Sequence, residues 1–86
     1  MLIIIDRRVW QKDCARLSKK DLDRVVERIS LLAENPLAEG IGVKRLQHYD
    51  AADYRLKIGD YRVLFNRNDK AHEIHLLRVL NRSKLY

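Results

Sequence analysis

Apolar and polar positions alternate in two runs, Tyr54 to Ile58 and Tyr61 to Asn66, on either side of Gly59-Asp60. A two-residue connection with glycine first suits the primed turns whose twist matches that of paired strands, so the stretch predicts a β-hairpin. The turn sets the register. Ile58 faces Tyr61, Lys57 faces Arg62, Leu56 faces Val63, Arg55 faces Leu64 and Tyr54 faces Phe65. Because strand side chains point alternately to opposite faces, Tyr54, Leu56, Ile58, Tyr61, Val63 and Phe65 share one face. Arg55, Lys57 and Arg62 share the other, with Leu64 between them. Like charges directly opposed on a sheet cost stability. An anionic ligand is the simplest reason to keep Lys57 against Arg62.

The remaining patterns supply a frame for this hairpin. Leu2 to Ile5 is aliphatic at every position, which predicts a strand internal to a sheet. Asp6 is a candidate N-cap for a short helix running through Leu17, with Trp10, Cys14 and Leu17 forming one apolar stripe at i, i+4 and i+7. Ser18 can cap a second helix, whose stripe is Leu22, Val25, Val26, Ile29, Leu32 and Ala33. Asn35-Pro36 ends it. So short a link makes the helices antiparallel neighbours, and their joint apolar side needs a sheet to cover it. Val43 to Leu46 predicts a short strand, Gln47 to Asp53 an exposed connection, and His72 to Leu80 a last long strand. The expected architecture is α+β in two layers: an N-terminal strand and an antiparallel helical hairpin packed on a mostly antiparallel three- to four-stranded sheet.

Length and composition narrow the class. With 86 residues there is room for one domain, spanning 1–86, and one modest core. The apolar start is five residues long and is followed by Asp6-Arg7-Arg8, so it is expected to be neither a signal peptide nor a membrane span. One cysteine cannot form an internal disulfide, and a reducing cytoplasm is the default compartment. The net charge of +6 is unevenly spread. Met1 to Val43 carries eight basic and seven acidic residues, whereas Lys44 to Tyr86 carries ten and five. The half that reads as sheet therefore holds nearly all the excess, as expected of a polyanion-binding face.

Most familiar chemistries lack their residues. His72 and His75 would point to opposite faces of a regular strand and His48 lies in a loop, so no metal site is expected. Cys14 reads as core. The sequence contains no glycine-rich phosphate loop, Ser-His-Asp order or paired carboxylate signal. A site made of cations remains, from Arg55, Lys57 and Arg62 together with Arg78, Arg82 and Lys84. Guanidinium groups hold phosphate oxygens bidentately and neutralise charge developing on a phosphorane. Such a site suits RNA cleavage without a metal or other cofactor, the ribose 2′-hydroxyl serving as nucleophile. The proton acceptor is its least defined part: Lys57 can serve only if crowding by Arg55 and Arg62 favours its neutral form. The rival is an ordinary solvated strand face.

The wording Tyr54-Arg-Leu-Lys-Ile-Gly-Asp-Tyr-Arg-Val-Leu-Phe, followed by Leu-Leu-Arg-Val-Leu-Asn-Arg-Ser-Lys-Leu-Tyr86, resembles the RelE branch of the RelE/ParE toxin superfamily. The similarity includes the N-terminal strand, the helical hairpin and Val43-Lys44-Arg45-Leu46. It implies a toxin of a type II toxin–antitoxin system: an endoribonuclease that cleaves mRNA in the ribosomal A site and is held inactive in a hetero-oligomer with its cognate antitoxin. It further implies that Lys57, Arg62, Arg82 and Tyr86 are catalytic. Arg62 would hold the scissile phosphate, Arg82 would lie near the leaving 5′-oxygen, and Tyr86 would orient or stack on the substrate. Arg55, Lys44, Arg45, Arg78 and Lys84 would bind RNA. One departure is Leu80-Asn81-Arg82 where many relatives carry Gly-His-Arg, so Arg82 would act without a histidine proton carrier. Two alternatives accompany this reading: a ParE-like protein that poisons DNA gyrase by binding it, and an inactive relative that binds only nucleic acid or an antitoxin.

Overall fold

The computed structural model describes residues 1–35 and 41–84. In chain order the elements are β1 (Leu2–Ile5), α1 (Arg7–Cys14), α2 (Lys19–Glu34), β2 (Val43–Arg45), β3 (Tyr54–Ile58), β4 (Tyr61–Asn68), β5 (Glu73–Asn81) and a 3-10 turn at Arg82–Lys84. The strands form one five-stranded sheet in the order β1-β5-β4-β3-β2. β1 runs parallel to β5 and every other neighbouring pair is antiparallel. The α+β architecture is as expected, with β1 as the fifth member of the sheet.

Both helices start where their caps predict. Asp6 accepts a hydrogen bond from the Arg8 amide at 3.0 Å, and Ser18 Oγ accepts one from the Asp21 amide at 3.2 Å. Each satisfies one of the amides that a first turn leaves unpaired. α1 ends at Cys14, earlier than expected, and the chain continues through turns in which the Leu17 amide reaches the Cys14 carbonyl at 3.0 Å. Leu17 still packs against the core. The stripe of α2 is narrower than its sequence suggests. Val25, Ile29 and Leu32 are buried, but Val26 lies on the rim of the stripe and is 55% exposed.

The core is closed by Leu56, Ile58, Val63, Phe65, Ile74, Leu76 and Val79 from the sheet and by α2 from above. Leu76 and Val79 are three residues apart and in a regular strand would face opposite ways. A register shift solves this: Leu64 pairs with Arg78 but Phe65 pairs with Leu76, so Leu77 is the extra residue of a β-bulge. β5 begins at Glu73, and His72 precedes it with φ of 53°.

Two expectations are corrected. β1 lies at the sheet edge, with Leu2, Ile3, Ile4 and Ile5 all exposed. An all-aliphatic run is compatible with an internal strand, but among the described residues only one of its edges finds a partner, β5. The 46–53 connection is not simply exposed. The Leu46 amide donates to the Asp53 carbonyl at 2.7 Å, the Asp53 amide donates to Asn66 Oδ1 at 2.6 Å, and Ala52 is buried. Among the described residues no helix is long and apolar enough to cross a membrane.

Candidate nucleic-acid interface

The hairpin forms in the expected register at all five pairs, from Tyr54–Phe65 to Ile58–Tyr61. Gly59 has φ of 57°, the left-handed conformation that glycine adopts without penalty. On the face away from the helices, two rows of side chains cross the sheet. One is Lys44, Arg55, Leu64 and Arg78; the other is Lys57, Arg62 and Leu80. Leu64 is buried within the first row even though it lies on the helix-free face.

The second row carries the best-organised cations. Arg62 Nη1 donates to the carbonyls of Gly59 and Tyr61, both at 2.8 Å. Two bonds from one nitrogen hold the guanidinium over the turn and leave Nη2 and Nε without a partner among the described residues. Lys57 stands directly opposite, exposed. Arg82 joins them from the far end of β5. Its amide donates to the Asp60 carbonyl at 2.8 Å, and its Nε lies 3.8 Å from Asp60 Oδ1. Both side chains of that ion pair are mostly exposed, so the backbone bond does the positioning and the ion pair adds little. Three cations from β3, β4 and the 3-10 turn thus converge on one hairpin turn.

The other predicted residues are distributed unevenly. Arg55 is half-buried and donates to the Gly42 carbonyl at 3.3 Å, beside Lys44. Arg45 pairs with Tyr54 and so belongs to the opposite face of β2, away from Lys44. Lys84 is exposed in the 3-10 turn. Tyr86 lies outside the described residues. Arg78 is engaged elsewhere: its Nε and Nη2 donate to Asp13 Oδ2 and Oδ1 at 2.7 and 2.9 Å.

Asp13 went unremarked in the sequence. It is 3% exposed, and Oδ2 also accepts the Val79 amide at 3.1 Å, filling the edge of β5 beyond the last residue of β1. The hydrogen bond to Asp13 is the main influence raising the Arg78 pKa. The signal was there to read: Asp13 is three residues after Trp10 and adjoins Cys14, so it borders the buried stripe. Burial, and secondarily the Asp13 carboxylate, pushes the Cys14 thiol pKa up, which disfavours the thiolate a nucleophile needs. Arg24 was also missed. Its Nη2 would lie 3.3 Å from a Cβ placed on Gly59, and only the tertiary fold brings α2 to that turn.

Two further groups are occupied by structural contacts. Arg67 lies 5.0 Å from the Tyr54 ring centre and 3.0 Å from Asp69 Oδ1. His75 Nε2 is 3.2 Å from Glu73 Oε1. Among the described residues no three His, Cys, Asp or Glu side chains group to hold a metal ion.

The chain matches, over residues 2–86, the family model described as ParE toxin of type II toxin–antitoxin system, parDE. No curated protein matches it significantly. Among solved structures it is similar to the archaeal RelE–RelB complex from Pyrococcus horikoshii, at 28% identity and a TM-score of 0.78, covering 96% of each chain. It is similar also to the toxin–antitoxin complex RelBE2 of Mycobacterium tuberculosis, at 26% identity and a TM-score of 0.76, covering 93% of this chain and 95% of that one. The intact Escherichia coli RelBE complex shares the fold, at 16% identity and a TM-score of 0.72, covering 93% of this chain and 94% of that one.

Proposed function

The chain belongs to the ParE toxin family of type II toxin–antitoxin systems, within the RelE/ParE superfamily, and on that premise we propose that it is a ribosome-dependent endoribonuclease cleaving mRNA in the A site. The observation that carries this reading is the convergence of Lys57, Arg62 and Arg82 on the Gly59-Asp60 turn. Nη2 and Nε of Arg62 form a fork suited to two non-bridging oxygens of the scissile phosphate. The ribose 2′-oxygen attacks that phosphorus as Lys57, directly opposite Arg62, takes the hydroxyl proton. The bond to the 5′-oxygen breaks, leaving a 2′,3′-cyclic phosphate on one fragment. Arg82 stabilises or protonates the departing 5′-oxygen. Tyr86 orients the substrate, and Arg55 with Lys44 holds the strand further along. A guanidinium already fixed by backbone carbonyls, as that of Arg62 is, needs little rearrangement to meet the charge of the phosphorane. The partners are translated mRNA, the ribosome and a cognate antitoxin, the last supported by relatives solved as toxin–antitoxin complexes. Such a toxin works in the cytoplasm.

The test is expression without an antitoxin, followed by mapping of mRNA 5′ ends on translated and untranslated transcripts. Cleavage should be confined to translated mRNA. Arg82→Ala should abolish it with the thermal midpoint unchanged, because the Arg82 side chain is mostly exposed. Arg62→Ala should abolish it as well. Full cleavage by either variant overturns the assignment. The description of the matching family as ParE favours one second reading, a protein that binds and poisons DNA gyrase. Intact mRNA together with trapped gyrase complexes would establish that reading instead.

A further inference from the structure

A groove of about 470 Å³ opens between α2 and β3, lined by Arg24, Arg28 and Lys57 with the backbones of Gly42 and Gly59. Among the described residues of its lining Glu27 is the one acidic residue, set against three cations. Arg24 and Arg28 are four residues apart on one helix, where like charges repel. Among the described residues neither Arg24 nor Lys57 forms an ion pair. Arg28 donates through Nη2 to the Ile41 carbonyl, while its Nε is buried with no hydrogen-bond partner. The two glycines make room for these groups. A Cβ at Gly59 would crowd Arg24 Nη2 at 3.3 Å, and one at Gly42 would lie 3.1 Å from the Lys57 carbonyl and 3.5 Å from Arg28 Nη2.

We propose that this groove binds a second phosphodiester of the same RNA strand, next to the scissile one, with Arg24 as its principal ligand. The proposal rests on the nuclease reading and extends it from the sheet onto α2. Lys57 is what connects them, since it lines the groove and also opposes Arg62. An occupant of the groove and an occupant of the cationic turn therefore meet at one residue. A continuous polyanion satisfies both at once, and paired guanidinium groups match its phosphate oxygens. Arg24 would act by holding the strand in place, without touching the reacting atoms.

The test uses the full-length toxin freed of antitoxin and a labelled 2′-O-methyl RNA of roughly a dozen nucleotides, within the length range of single-strand sites and uncleavable because its 2′-oxygens are blocked. Binding is followed by anisotropy over a range of salt. Arg24→Gln should weaken binding roughly five- to tenfold, the scale of one lost charge-assisted contact. It should also lower the salt slope by about 0.7, the amount for one phosphate on a single strand. The thermal midpoint should stay at the wild-type value, because Arg24 is exposed. Wild-type affinity and slope in Arg24→Gln, with binding lost in Arg62→Ala, overturns the groove and leaves the nuclease reading standing. No RNA binding by the wild-type toxin overturns the groove, while the nuclease reading stands or falls on cleavage of translated mRNA. If Arg24→Glu frees the toxin from its antitoxin without changing RNA affinity, the groove belongs to the partner protein and the proposal fails.

Discussion

Lys57 and Arg62 face each other across β3 and β4, a pairing of like charges that a purely structural sheet has no reason to hold. Replacing Lys57 by Met should leave the thermal midpoint unchanged or raised, with a gain of roughly 0.2–1 kcal/mol from relief of repulsion. RNA cleavage should fall sharply. A large loss of stability in the same variant would assign Lys57 a structural role instead. Asp13 behaves in the opposite way. Its carboxylate satisfies Arg78 and the Val79 amide from a nearly dry position, so Asp13→Ala leaves a buried donor unpaired. We expect a loss of about 2–3 kcal/mol in urea unfolding, below the full cost of breaking a buried pair because the Arg78 side chain, 43% exposed, can rehydrate. The chemical character of Arg55, Lys57, Arg62 and Arg82 was legible in the sequence. Which arginines were already occupied was not. Arg78 looks like another ligand until Asp13, 65 positions earlier, is brought beside it.

At the scale of elements, the β3–β4 hairpin was the most legible part because its register depends on a local turn and on alternation within a few residues. Gly59 is what makes that turn possible. Gly59→Ala would force a side chain into left-handed backbone and against Arg24, costing roughly 1–2 kcal/mol from the backbone conformation alone. Because Arg62 and Arg82 are anchored at the same turn, cleavage should fall further than the thermal midpoint predicts; parallel measurement of the two would show it. The caps at Asp6 and Ser18 were equally readable, since both act within three residues. β1 was misplaced because an aliphatic strand looks the same whether one edge or two are paired. The bulge at Leu77 was hidden for a related reason. Nothing local distinguishes it, and it appears only when Leu76 and Val79 must both face α2.

Across the whole molecule, Lys44, Arg55, Lys57 and Arg62 gather part of the positive charge of Lys44 to Tyr86 on one side of the sheet, opposite the helices. Binding to single-stranded RNA should therefore weaken with salt. Three phosphates, one at the cationic turn, one beside Arg55 and Lys44 and one in the Arg24 groove, give a slope of about −2 in log affinity against log salt. A slope near zero would show that the face does not hold phosphates. By itself the sequence determined the helices and their caps, the hairpin and its register, the α+β class and the list of cations. These depend on periodicity and on contacts between near neighbours, which a linear chain displays directly. Only the tertiary structure decided that β1 is an edge strand, that Arg78 is held by Asp13, that Arg45 is on the other face from Lys44, and that Arg24 reaches Gly59. Each of these depends on contacts between segments distant in the chain, and those follow from packing, which periodicity does not encode.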